Sequence, residues 1–310
     1  MGRKLRHLLI FLLIILKESK MPDAAGCRLT HLSLSGNHIV KVQPGAFANL
    51  PLLYKLDLTA NRITMMKSNT FENLPCLQTL SLHNNQISKM QTAAFANLPL
   101  LHTLSLNANN ITMIQKGTFT NLPRLYLLYL NNNQITMIKN GAFKNLPLLN
   151  LLFLFNNQIT TIQSGAFTNL PELEGLCLAN NKITMIEPGA FSNLPKVEDL
   201  DLRSNKMLAI SPLAFGLLPS IRTIQLDNTP WQCDCSMVRF MLNTTKFPSF
   251  KGQIICAQPL KFQGQKLADI NLEELMCETP TNLTLLDDIQ TSSEHCYNGS
   301  DKAGSVSDHH

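Results

Sequence analysis

Apolar and polar positions alternate along the chain in one motif with a spacing of 24. Aliphatic residues recur at Leu29, Leu53, Leu77, Leu101, Leu125, Leu149, Leu173, Val197 and Ile221, and asparagines keep step from Asn37 to Asn205. Eight phenylalanines, Phe47 to Phe215, follow the same interval. Each unit reads approximately L-x-x-L-x-L-x-x-N-x-I-x-x-I-x-x-G-A-F-x-N-L-P-x, too short to bury its own apolar face but able to share a continuous core once stacked. The chain therefore divides into eight full rungs and a ninth strand over residues 27–228.

This unit is similar to the leucine-rich repeat, and the resemblance implies an α/β-type solenoid: a curved horseshoe with a parallel β-sheet on its concave side. Positions 1, 4 and 6 of each rung face the core, with the isoleucines at 11 and 14 and the phenylalanine behind them. The asparagine at position 9 is a buried polar group, which requires main-chain partners in adjoining loops.

Side chains alternate across a strand, so positions 3, 5 and 7 line the concave surface. The first four rungs place small, hydroxylic or charged residues there: His31, Ser33, Ser35; Lys55, Asp57, Thr59; Thr79, Ser81, His83; and Thr103, Ser105, Asn107. The character then changes. "LYLLYL", residues 125–130, has no charged or small polar side chain, a pattern usually buried on both faces. The rung register instead sends Leu128 and Leu130 inward and leaves Leu127 and Tyr129 on the concave wall beside Leu151, Phe153 and Phe155. After Gly175, Cys177 and Ala179 comes an acidic end with Asp199, Asp201 and Arg203, then Asp227, flanked by Glu174 and Glu198. A contiguous apolar patch of about 300–500 Å² marks a binding surface. Covering ~400 Å² would release roughly 10 kcal/mol at about 25 cal/mol per Å². Association costs of about 4–15 kcal/mol consume much of that, so a polar rim has to contribute. The expected ligand-binding set is Leu127, Tyr129, Leu151, Phe153, Phe155, Asp199, Asp201 and Arg203, the aromatic residues as anchors and the acidic rungs as selectors for a basic feature.

The period breaks at residue 229. Residues 229–278 carry Cys233, Cys235, Cys256 and Cys277, for which a zinc site and disulfides are the alternatives; an exported chain favours disulfides. Cys233 with Cys235 is sterically poor, which leaves two pairings. The segment resembles the cysteine-rich C-terminal cap of extracellular animal leucine-rich-repeat proteins. That resemblance implies Cys233–Cys256 and Cys235–Cys277, with Trp231 sealing the end of the core. Variable lymphocyte receptors are the nearest pattern, followed by Slit-, Toll- and chondroadherin-type modules. In the lymphocyte receptors a loop of this cap helps the concave face bind antigen, whereas "NTTKFPSFKGQII" is short for such an overhang. The N-terminal end departs from the family, with Cys27 alone where several cysteines are usual.

Of the net charge of +5, Arg3, Lys4, Arg6, Lys17 and Lys20 against Glu18 account for +4 at the N-terminus. The remainder is close to neutral, which argues against a nucleic-acid partner. The same charges flank "LLIFLLIIL", residues 8–16, too short to span a bilayer but suited to a secretory signal, so residues 1–26 are expected to be a signal peptide cut after Gly26. An uncleaved N-terminal segment holding the protein to a membrane is the alternative to secretion. No later stretch has the ~20 apolar residues of a transmembrane span. The tail 279–310 is polar without period and is expected to be disordered.

An exported chain makes the sequons at Asn110, Asn243, Asn282 and Asn298 glycosylation candidates, with Asn110 expected to point outward beside the buried Asn109. Met65, Met113, Met137 and Met185 share rung position 13, as repeat duplication would produce. Cys177 stands where other rungs carry serine and is read as a bland small residue; Cys76 closes a rung, and Cys296 lies in the tail. Scattered histidines, no glycine-rich phosphate loop and no metal-ligand spacing point to neither catalysis nor a cofactor. The expected function is non-catalytic recognition of a protein or glycan ligand, receptor-like or innate-immune in kind. Assembly of a matrix or adhesion protein as a homo-oligomer through the same face is the alternative.

Overall fold

The structure, a computed structural model, describes residues 29–48, 50–119, 121–167, 169–210, 220–243 and 248–275. The expected signal peptide, Cys27, Cys277, Cys296, Phe215, the sequons at Asn282 and Asn298 and the tail lie outside them. Nine three-residue strands, from His31–Ser33 to Thr223–Gln225, form one parallel sheet in chain order. The register is a uniform step of one rung: Ser105 pairs with Tyr129, Tyr129 with Phe153, Phe153 with Cys177 and Cys177 with Asp201. Each outward position thus forms a row across the sheet, which is what assembles distant residues into a surface.

The inward leucines, the position-11 isoleucines and the phenylalanines make one continuous core. Phe47 to Phe191 stack face to face behind the sheet with ring centroids 5.8–6.2 Å apart. The asparagine row is buried from Asn61 to Asn205. In the middle of it, Asn133 donates through Nδ2 to Leu106 O and Leu130 O, both at 3.0 Å, and its Oδ1 accepts from Ile111 N at 3.0 Å. Asn37 is half-buried and donates to Ser35 O at 3.2 Å, since among the described residues no earlier rung supplies the second carbonyl.

The repeat solenoid with a parallel concave sheet is as expected, and the convex side shows how each rung returns. Among the described residues the rungs return through turns and pairs of two-residue strands, such as Met113–Ile114 with Met137–Ile138, and the helices lie after the ninth strand. Gly141 (φ 74°) and Asn145 (φ 66°) occupy the left-handed region at rung positions 17 and 21, and a proline follows two residues after the asparagine. A helix cannot pass through two left-handed residues and a proline within about two turns.

The segment after the ninth strand joins the same core. Trp231 is 1 % exposed, and its indole N–H donates to Leu226 O at 3.2 Å, so it closes the last rung as expected. Cys233 is bonded to Cys256, the Cα atoms 5.6 Å apart. Cys235 is also disulfide-bonded; its expected partner, Cys277, is outside the described residues. Short helices Val238–Asn243, Pro248–Lys251 and Leu272–Leu275 belong to this segment, with Phe240, Phe250 and Leu275 buried. No helix among the described residues is long and apolar enough to cross a membrane.

Candidate functional site

Leu127 pairs with Leu151, and Tyr129 with Phe153, on adjacent strands. The Tyr129 and Phe153 rings stack with centroids 4.9 Å apart and planes 6° from parallel. That separation matches the ~4.8 Å strand spacing, so the rings ride on the sheet ladder itself. Phe155, two residues on, meets Phe153 edge to face at 6.5 Å. Such ring pairs add about 0.5–1.5 kcal/mol beyond area burial, which holds the aromatic group in one arrangement.

The five apolar residues are half-buried rather than exposed, because each covers part of its neighbour. Leu151 leans towards the next rung: a Cβ at Gly175 would stand 2.6 Å from its Cδ2, so the glycine gives this leucine its resting place. The open apolar area is therefore smaller than the sequence leads one to expect, and its shape matters more. Tyr129, Phe153 and Phe155 floor a depression of about 330 Å³ whose polar rim is His83, Ser105, Asn107 and Asn131. These four were not in the expected set. They sit at the same rung positions 5 and 7, Asn131 on the rung of Tyr129 and the other three on the two rungs before it, where the sequence shows only a polar zone; their membership comes from the aromatic step beside them. Leu127 and Leu151 lie next to the depression without lining it. A larger hollow of about 640 Å³ runs along the convex N-L-P turns, through Asn145, Pro147, Asn169 and Pro171. Those turns repeat the same residues in rung after rung, so the hollow follows from the solenoid's geometry.

The acidic end differs from a simple selector for cations. Arg203 forks onto Asp201 through Nε at 3.0 Å and Nη2 at 2.8 Å, so this carboxylate is neutralised from within. Arg222 pairs with Glu198 at 3.1 Å, and Lys196 with Glu172 at 2.6 Å. Asp199 and Asp227 make no ion pair among the described residues, and they carry what remains of the negative zone. Cys177 Sγ lies 3.6 Å from Asp201 Oδ2. Burial first, and the neighbouring carboxylate as well, push its thiol up to about 11. At neutral pH it is a protonated, weakly nucleophilic group, the bland role expected of it.

Asn110 is exposed, and its Oδ1 accepts from Gln134 at 3.4 Å; Asn243 ends the helix Val238–Asn243. Met65 and Met185 are exposed, while Met113 and Met137 are half-buried, with Met113 Sδ accepting from Gln115 at 3.1 Å. Cys76 is a free, half-buried thiol.

The sequence profile described as "Leucine rich repeat" matches residues 27–87, 51–110, 77–135, 99–159, 123–183 and 171–230, an unbroken span over most of the chain. Trophoblast glycoprotein of Mus musculus is 39 % identical over 56 residues, 17 % of this chain and 13 % of that protein. Its Rattus norvegicus counterpart is 37 % identical over 70 residues, 22 % of this chain and 15 % of that protein. The likeness thus spans less than a sixth of those relatives' length. Among solved structures, a TLR13–ssRNA13 complex superposes with a TM-score of 0.63 at 30 % identity, over 66 % of this chain and 29 % of that one. A chain of an octameric complex of Latrophilin 3, Unc5D and FLRT2 superposes with a TM-score of 0.57 over 84 % of this chain and 94 % of that one; at 23 % identity it speaks for the fold alone.

Proposed function

The chain belongs to the leucine-rich repeat family, and from that premise we propose that it is a non-catalytic, exported binding protein whose concave face recognises a protein or glycan ligand. One observation carries the reading: a stacked aromatic group stands in the middle of a sheet face whose other rungs carry polar, charged or small residues, beside an open depression with a neutral polar rim. Rigid aromatic side chains at the centre of a patch, ringed by polar groups, are the arrangement that concentrates binding energy. The family supports a receptor-like role, and the Toll-like neighbour and the glycoprotein relatives are in keeping with export. The TLR13 structure holds RNA, but here Asp199 and Asp227 keep one end of the face negative, which disfavours a phosphate backbone. The finer likeness to variable lymphocyte receptors rests on the repeat pattern and the Cys233–Cys256 bond; with a short cap loop, the strand face itself supplies the contacts. Asn110, Asn243, Asn282 and Asn298 are the glycan acceptors of this reading.

The test is a screen of the purified protein against arrays of extracellular proteins and glycans, repeated with a Tyr129→Ser, Phe153→Ser variant. At least one ligand is expected to lose tenfold or more in affinity; unchanged binding across every hit would refute concave-face recognition. In the alternative, homo-oligomeric assembly buries the same patch, and sedimentation separates the two, since a monomer at all concentrations excludes a matrix-type assembly.

A further inference from the structure

Tyr129 has two neighbours in its row, and they differ in a way that leaves a place for one flat group. Phe153 covers one face of its ring. On the other side the row continues with Ser105 and then Ser81, side chains too short to reach a ring at that height. The depression opens there, so the next position of the aromatic ladder, about one strand spacing from Tyr129, is built but unfilled by the protein.

The surroundings of that position select the chemistry. Among the described residues, the side-chain amides of Asn107 and Asn131 make no hydrogen bond to a protein group. His83 shares Nδ1 with Thr59 Oγ1 at 3.3 Å, which leaves Nε2 for a ligand. The nearest acidic side chains of the row are Asp57, two strands from Ser105, and Asp201, two strands from Phe153 and already forked by Arg203. A guanidinium or ammonium group would find no carboxylate among the residues that line the slot. A purely apolar side chain would strip water from two amides and a hydroxyl without replacing their hydrogen bonds. A group with an apolar face and a hydroxylated edge satisfies both walls, and a volume of about 330 Å³ is at the small end for ligand pockets.

We propose that this slot, bounded by Tyr129, Ser105, Asn107, Asn131 and His83, takes an uncharged pyranose ring of a glycan, its C–H face on Tyr129 and its hydroxyls on the two amides and the imidazole. The inference rests on concave-face recognition and narrows its ligand.

Saturation-transfer NMR of the full chain with methyl β-D-galactopyranoside, methyl α-D-mannopyranoside, methyl β-D-glucopyranoside and methyl N-acetyl-β-D-glucosaminide tests it. At least one probe is expected to bind at millimolar concentration, with transfer strongest at ring C–H protons. Ser105→Phe, which fills the slot, and Tyr129→Ala are each expected to weaken it tenfold or more, whereas Met185→Ser on the solenoid edge leaves it unchanged. Thermal melts confirm that each variant folds. No transfer from any probe, or equal binding by Ser105→Phe, overturns the sugar assignment. If protein hits from the array screen then fall with Tyr129→Ser, Phe153→Ser, the concave face survives with a protein ligand; if no hit depends on that variant, both readings fail.

Discussion

Asn133→Ala is a direct probe of what holds the rungs together. The substitution removes the donations to Leu106 O and Leu130 O, a longer one to Asn131 O at 3.3 Å, and one acceptance, from Ile111 N. The two carbonyls are not orphaned, because Leu106 O keeps Asn109 Nδ2 at 3.1 Å and Leu130 O keeps Asn157 Nδ2 at 3.0 Å. The Ile111 N–H is stranded in the core. One buried, unpaired donor costs about 1–3 kcal/mol, and each lost second bond to a carbonyl about 0.5–1.5 kcal/mol, so the expected loss is roughly 3–4 kcal/mol. Rung 5 is mid-array, so the solenoid should also become less cooperative. Calorimetry with urea titration followed through the single Trp231 reads both: the C-terminal half reports through the tryptophan, and a separate calorimetric transition marks the uncoupled half. Asn110→Gln, on the exposed neighbour, is the control. A loss below about 1 kcal/mol for Asn133→Ala, with one transition intact, would refute the claim that this row couples the rungs.

Cys177, its thiol pushed up to about 11 from 9.0, is expected to resist iodoacetamide at pH 8 in a Cys27→Ser, Cys76→Ser, Cys296→Ser background and to react normally once unfolded. A raised folded-state pKa means the native state holds the proton better, so this group's contribution to stability is full below pH 9 and is lost as pH rises towards 11; a stability flat across that window would contradict it. Replacing Cys233 and Cys256 together by alanine opens a link with a sequence separation of 23 and should cost about 3.5 kcal/mol by the loop-entropy relation, read as a fall in the urea midpoint. Phe143→Ala removes a ring stacked 6.0 Å from Phe119 and 5.8 Å from Phe167 and is expected to cost about 3–5 kcal/mol. Arg203→Ala, at a pair whose arginine is exposed and whose aspartate is half-buried, should change stability by about 1 kcal/mol, so a much larger loss in denaturation would mean that the fork shapes the sheet.

The rung register was legible because every inward and outward position repeats: the Asn row, the Phe row and the concave rows follow from a period that fits nothing but stacking. The convex path was not, because it turns on left-handed residues such as Asn145, and an asparagine in a loop motif does not announce its φ. Tyr129, Phe153 and Phe155 stood out on one face by alternation alone. Their mutual shielding, the fork of Arg203 on Asp201 and the rim of His83, Ser105, Asn107 and Asn131 depend on rotamers and on side chains a rung or more apart. Leu151 shows the same limit: its lean over Gly175 exists because the next rung lacks a Cβ, a pairing visible only once the strands are laid side by side.

Hydroxyl-radical footprinting of the protein with a ligand recovered from the array screen tests the central claim most directly, since it reads side-chain accessibility ring by ring. Tyr126 shares the fifth rung with Tyr129 but stands off the depression, 38 % exposed, and Tyr54 is 43 % exposed. Concave-face recognition predicts that ligand lowers oxidation of Tyr129, Phe153 and Phe155 several-fold while Tyr54 and Tyr126 react as before. Protection of Tyr54 and Tyr126 with Tyr129 and Phe153 unchanged would place the ligand elsewhere and contradict it.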